Sequence, residues 1–269
     1  MNTIVRPQSI YCAAWADFVT SFTRTDLWLW LSWQDIRLRY RRSVLGPWWL
    51  TLSMFIIVGS IGFAFANIFN MTLENYLPFF AVGQVFWLFF STQLNEAVYG
   101  FLNFQHVLQH QNLPLPAFIL RQMMRNLIIL LHHMVIAVLA IVIFRDIAWD
   151  KLIFFIPSLL IVCVLLYVTS LAIAMLCTRY RDFGPVVTNV VQFMFLITPI
   201  LWNPALLKNH QWIVQFNPMY HMIEVLRAPL LGYDVSPFSY AYLLSAIVLL
   251  TAGVFVTYAH FRKRIIHWF

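Results

Sequence analysis

Six segments of this chain are long and apolar enough to cross a lipid bilayer, and no motif constrains the fold as strongly. A spanning helix needs about 20 mostly apolar residues. Such runs occur at roughly 47–69, 77–100, 124–144, 152–177, 186–202 and 239–260. Inside hydrocarbon each segment must satisfy its own backbone N–H and C=O groups, so the runs read as α-helices. The fifth is the shortest and carries Pro199 near its end, which predicts a kink or early unwinding there. The composition agrees: 62% of residues are hydrophobic and 10% are charged, against roughly 45–50% and about 25% in an ordinary soluble domain. A soluble fold of 269 residues has nowhere to bury that much apolar surface.

The placement of basic residues orients the spans. With the N-terminus in the cytoplasm, thirteen of the seventeen Lys and Arg fall on the inner side: Arg6, Arg24, Arg37, Arg39, Arg41, Arg42, Arg121, Arg125, Arg179, Arg181, Arg262, Lys263 and Arg264. Four fall outside, namely Arg145, Lys151, Lys208 and Arg227. Both ends are therefore expected inside. The same distribution makes the net charge of +7 a membrane feature rather than a sign of nucleic-acid binding. The first 46 residues lack the apolar core and small-residue cleavage site of a signal peptide and are expected to be retained. Cys12, Cys163 and Cys177 are scattered without CxxC spacing, which implies neither a disulfide framework nor a zinc site.

Three connecting regions are more than turns. In 27–42, helical spacing groups Leu29, Trp33, Ile36 and Tyr40 on one face and Ser32, Asp35, Arg39 and Arg42 on another. This suits a helix lying in the membrane interface, aromatics toward acyl chains and arginines toward lipid phosphates. A soluble helix packed on a partner subunit satisfies the same pattern. In 101–123, a short helix over about 103–112, stopped before Pro114, lies where an energising subunit would press. The stretch 203–238 is hydrophobic but broken by Pro204, Pro218, Pro229, Gly232 and Pro237, so no part of it is long enough to span. Within it Asn217 is placed as an N-cap and Pro218 as the first residue of a helix over 218–231. Such a re-entrant or interfacial region requires burial in protein or a water-lined cavity, and that points to a pathway.

Candidate chemistry is sparse. The chain has no G-x-x-x-x-G-K-[ST] motif, so ATP-driven transport would require a separate ATPase polypeptide. His132 and His133 are adjacent in the third span and point about 100° apart, a poor geometry for holding one metal ion. Glu96 near the inner end of the second span either faces a polar cavity or pairs with a nearby arginine. Arg179, Tyr180, Arg181 and Asp182 follow the fourth span directly, where the acid favours a structured ion pair and the bland alternative is simple positive flanking. The 25 Phe, 11 Trp and 11 Tyr fit lipid-facing and interfacial belts. Rings lining a conduit and meeting sugar faces are the functional alternative. Gly59 and Gly62 in the first span permit close helix approach, in a packed or a dimeric interface.

The string Arg41-Arg42-Ser43-Val44-Leu45-Gly46-Pro47-Trp48-Trp49 at the mouth of the first span resembles the start of the polysaccharide-export permeases of ABC transporters, in the type-2 exporter superfamily. The likeness continues in order through Arg181-Asp182, Thr198-Pro199-Ile200 and Asn217-Pro218-Met219-Tyr220, and is strongest to the O-antigen branch. The resemblance implies an all-α integral membrane protein. Its six transmembrane helices are preceded by an amphipathic interface helix at 27–42, with re-entrant helices at 203–238 before the last span. The chain would be one permease domain over 1–269: a cytoplasmic arm (1–46), spans one to five (47–202), the periplasmic re-entrant region (203–238), and the sixth span with its cytoplasmic tail (239–269).

It further implies a homodimer in the bacterial inner membrane, bound to two copies of an ATP-binding cassette subunit that holds the ATP and Mg. No catalytic residue, metal or cofactor is implied in this chain. By similarity, Asn103, Gln105, His106, Gln109 and His110 belong to the coupling region against that subunit. The segment 178–185 corresponds to a gate helix near the cytoplasmic entrance, and Asn217, Pro218, Met219 and Tyr220 belong to the exit. The family's cargo is a glycan on a polyprenyl-pyrophosphate carrier. Arg37, Arg39, Arg41, Arg42, Arg179 and Arg181, with Tyr180 and Asp182, are placed to meet the pyrophosphate, since guanidinium forks bind phosphate bidentately.

Two rival readings bracket this one. An exporter of capsule or teichoic-acid polymer, or of a drug or lipid, would share the fold. A membrane-embedded polyprenol-dependent transferase would need grouped carboxylates or histidines at an interfacial site. The dispersed acids, with only Glu224 and Asp234 in the 203–238 loop, disfavour the enzyme.

Overall fold

The computed structural model describes residues 9–111, 113–145, 147–206 and 210–268. The secondary structure they form is helical throughout, with no strand among them. The amino-terminal arm is α1 (Ile10–Thr23), a π-helical turn at Asp26–Trp30 and α2 (Leu31–Arg39). Spans one and two are α3 (Trp48–Ile68) and α4 (Leu73–Ala97). A 3-10 turn at Leu102–Phe104 and the short α5 (Gln105–His110) lead to α6 (Pro116–Phe144). Then follow α7 (Trp149–Leu152), α8 (Phe155–Arg179) and α9 (Phe183–Ile197). A 3-10 turn at Pro204–Leu206, α10 (Gln211–Gln215) and α11 (Pro218–Leu230) precede α12 (Pro237–Ile265).

Among the described residues, five helices are long and apolar enough to cross a membrane: α3, α4, α6, α8 (taken together with α7 before it) and α12. The expected fifth span appears as α9, apolar but only 15 residues long. At 1.5 Å per residue it reaches ~22 Å, short of the ~30 Å hydrocarbon thickness. The cause is the expected one. Pro199 disfavours helical geometry at the residue before it, and Thr198 is extended (φ −77°, ψ 131°), ending the helix at Ile197.

The fold is centred on α4, the most buried span, which packs against α3, α6, α8 and α9. Its Phe80, Phe86 and Phe90 are fully enclosed. Lipid tails are as apolar as these side chains, so shape-complementary contact rather than water exclusion holds such a core together. Gly62 of α3 serves that fit: a Cβ there would run into the Leu77 side chain of α4. Gly59, one turn earlier, faces open space instead. The two glycines read together as one close-approach surface thus divide between an inner contact and an outer face.

The arm carries a further helix, α1, ahead of the 27–42 stretch expected to be helical. Asp17 of α1 accepts from Arg262 of α12 (Nε and Nη2, both 2.8 Å) and from the Tyr258 hydroxyl (2.9 Å). This fastens the N-terminal helix to the end of the last span. The inward side of α2 takes one residue from each predicted group. Ser32 and Ile36 are buried, Asp35 is half-buried against α6, and Leu29 and Trp33 are exposed. Ser32 and Ile36 are four apart and share the inward side, which runs along the border between the two predicted groups.

Candidate functional site

The polar side of α2 meets the chain's own spans. Arg121 of α6 donates to Asp35 through Nε at 2.9 Å and also through Nη2. One turn on, Arg125 pairs with Glu96 of α4 through Nη2, and its Nη1 lies 3.7 Å from Asp35. Arg39 approaches Glu96 from α2 at 3.9 Å. Spacing explains the assembly: Asp35 and Arg39 are four apart on one helix, Arg121 and Arg125 four apart on another, so each pair shares a face.

Beneath the charges lies a neutral network. Asn126 donates through Nδ2 to Gln93 Oε1 and to Glu96 Oε2, both at 2.9 Å. Gln122 donates to the Gln93 carbonyl at 2.8 Å, and Gln93 donates to Ser170 of α8 at 3.0 Å. Buried polar groups carry a desolvation cost unless bonded, and this chain of bonds covers most of it across α4, α6 and α8. Arg125 Nε and Asn126 Oδ1 have no protein partner among the described residues.

The expected coupling segment borders this cluster. Asn103 and Phe104 line a polar cavity of about 240 Å³ together with Asp35, Arg39, Glu96, Arg121 and Arg125. The Arg121 guanidinium also sits 4.7 Å from the centre of the Phe104 ring. In α5, Gln105 is half-buried while His106 and His110 are exposed. The Gln109 side chain lies outside the described residues, as do Arg6, Asn112 and Lys208. Glu96 is thus a paired acid at a polar cavity, joining the two readings its sequence left open.

The remaining entrance residues are not drawn together. Arg37, Arg41 and Arg42 are exposed, with Arg42 in the left-handed region (φ 69°) just before Gly46, which turns the chain into α3 with φ 56°. Tyr180, Arg181 and Asp182 are exposed as well. The ion pair expected of Asp182 is not formed among the described residues, because the chain turns at 180–182 and presents the carboxylate outward. Arg179 instead stacks on Tyr180 and Trp268, at 5.7 and 5.3 Å.

At the opposite end of the spans, the segment following α9 is held by three side chains. Asn217 caps α11 as predicted, its Oδ1 accepting from Met219 N at 2.9 Å and Tyr220 N at 3.3 Å. Its Nδ2 donates to Thr198 Oγ1 at 2.9 Å. Tyr76 donates to the Leu201 carbonyl at 2.7 Å, and Arg227 to the Pro199 carbonyl at 2.9 Å. Arg227 is only 3% exposed, stacks 4.0 Å over Phe79 and pairs with Glu224 at 3.1 Å. The broken backbone around Pro199 is thereby bonded within the protein.

The two histidines diverge. His132 Nδ1 bonds its own helix at the Ile128 carbonyl (2.8 Å), and Thr51 of α3 donates to the His132 carbonyl (3.1 Å). His133 is buried beside Asn126 and Ser53. Sequence reasoning missed Arg227, Asp35 and Arg121 as structural partners. The available signals were Glu224 and Arg227 three apart in an apolar run, and the matched four-residue spacings on α2 and α6.

Helices of this length and apolarity mark a multi-pass membrane protein. Residues 26–231 match the family described as ABC-2 type transporter, and the chain belongs to that family. It is similar to two O-antigen export system permease proteins, both named RfbA, of Klebsiella pneumoniae. One is 23% identical over 207 residues, covering 74% of this chain and 77% of the relative. The other is 22% identical over 218 residues, covering 78% and 83%. The chain is accordingly a transmembrane subunit of an ABC exporter, a class whose ATP-binding function resides in a partner subunit.

Proposed function

We propose that this chain, as a homodimer in the bacterial inner membrane with both termini cytoplasmic, forms the conduit for a polyprenyl-pyrophosphate-linked glycan of the O-antigen type. Two copies of a separate ATP-binding subunit drive it. The observation that carries the reading is the cluster of Asp35, Arg39, Glu96, Arg121 and Arg125 at the edge of the coupling segment. A push delivered to Asn103–His110 meets Phe104, then Arg121, and through it α2, α4 and α6 together. The unpartnered Arg125 Nε and Asn126 Oδ1 leave the network capacity to exchange bonds as those helices shift.

Arg37, Arg41, Arg42 and Arg181, all exposed, are assigned with Tyr180 and Asp182 to the cargo's pyrophosphate. Arg39 is drawn toward Glu96, and Arg179 stacks on Tyr180 and Trp268. The region from Asn217 to Tyr220 serves at the exit, where Arg227 and Tyr76 hold the broken backbone open to a path. α9 acts as the sixth membrane helix, its short length matched by the pinned segment that follows it. The relatives' naming as O-antigen export permeases supports the cargo class. Deleting the gene tests it: lipid-linked polymer should accumulate on the cytoplasmic side. Normal surface polymer after deletion would refute the assignment.

A further inference from the structure

Between α8 and α12, on the side of the C-terminal tail, lies an apolar groove of about 670 Å³ whose tail-side end adjoins Tyr180 of the proposed entrance. Met175 and Leu176 form one wall, and Leu249, Gly253 and Phe261 the other. Gly253 leaves open space where a side chain would project. α12 is also the least buried of the five long apolar helices, so the groove faces whatever surrounds the chain. Its tail-side end is chemically different. There Arg179 and Tyr180 meet Trp268, with the guanidinium stacked on both rings. Among the described residues, Arg179 has no hydrogen bond and no carboxylate within ion-pair distance, and it lines the groove mouth.

We infer that this groove seats one anionic glycerophospholipid of the leaflet on the tail side, its phosphate at Arg179 and an acyl chain along α12. Three observations select that occupant. The lone guanidinium is complementary to a phosphate. Trp268 and Tyr180 are the ring types that sit at headgroup depth. From Leu249 to Phe261 the groove runs ~18 Å along the helix, close to the ~15 Å of one leaflet of a ~30 Å core. A polyprenyl carrier is far longer than one leaflet, and a zwitterionic lipid brings no net charge to Arg179. The inference is independent of which cargo the exporter moves.

The test uses the full chain co-purified with its ATP-binding subunit, placed in phosphatidylcholine nanodiscs. These contain trace phosphatidylglycerol or trace phosphatidylcholine, each spin-labelled on the acyl chain. Wild type should immobilise phosphatidylglycerol selectively. Arg179→Gln should reduce that selectivity roughly fivefold, the effect of one basic residue near a membrane surface. Arg179→Lys should retain most of it, and Lys263→Gln, at an exposed basic residue that does not line the groove, should change nothing. Gly253→Leu should remove the specifically immobilised chain; Leu249→Trp narrows the same groove from an exposed position if Gly253→Leu fails to assemble. Equal immobilisation of both lipids, or an unaltered Arg179→Gln spectrum, overturns the inference. So does displacement by equimolar polyprenyl pyrophosphate, which would make the groove a cargo site. Cross-linking of Leu249→Cys between two copies would also overturn it, by showing that a second copy covers the groove.

Discussion

Arg121 of α6 and Asp35 of α2 form a two-pronged ion pair across 86 residues of sequence, with Nε at 2.9 Å from Oδ2. Both side chains are largely shielded, and each also touches the rest of the cluster: Asp35 through Arg125, Arg121 through Phe104. The pair is therefore where the arm, the coupling segment and the third span are joined.

Asp35→Asn leaves the Arg121 guanidinium with a weakened partner and should cost about 1–3 kcal/mol. Thermal unfolding of the purified subunit measures this. The single variants Asp35→Arg and Arg121→Asp should each uncouple ATP turnover from transport, while the double exchange recovers part of both. A double-mutant cycle showing no coupling between these positions would separate the pair from the mechanism.

At Asn217 two roles can be parted. Asn217→Ala loses the cap on α11, about 1 kcal/mol, together with the bond to Thr198. Asn217→Asp keeps the cap acceptor but loses the amide donor. Stability by unfolding should therefore fall in the order Asn, Asp, Ala.

Arg227 holds the Pro199 carbonyl, Glu224 and the Phe79 ring at once. Lysine supplies charge but neither the planar fork nor the stacking. Arg227→Lys should destabilise measurably, and Arg227→Ala should cost about 3 kcal/mol or more by stranding Glu224. Export should fall further than stability alone predicts, because the segment after α9 loses its anchor.

The glycines of α3 give a contrast within one helix. Gly62→Val forces a side chain into Leu77 and should cost about 1–3 kcal/mol by overpacking. Gly59→Ala meets nothing in the subunit and should leave its unfolding temperature unchanged or raised.

Much of this architecture was legible in the sequence, because span length, positive flanks and proline punctuation are local properties. The cap at Asn217 and the break before Pro199 were predicted for the reasons they occur. The facing of α2 was not, since its inward side runs through Ser32 and Ile36, along the border between the two groups that periodicity separates. Nor was the partner of Asp35 visible: periodicity puts Asp35 and Arg39 on one face without saying which helix that face meets. The same limit applies to Arg179 and Trp268, adjacent in space but separated in sequence by everything from α9 to α12.

The central claim is that this permease passes a lipid-linked glycan under the drive of its ATP-binding partner. ATP turnover by the two subunits reconstituted in proteoliposomes, with and without polyprenyl-pyrophosphate-linked glycan, tests it most directly. The account predicts that the glycan stimulates turnover, and that Arg42→Gln with Arg181→Gln abolishes the stimulation while basal turnover persists. Turnover indifferent to the glycan but raised by a small amphiphilic drug would contradict it.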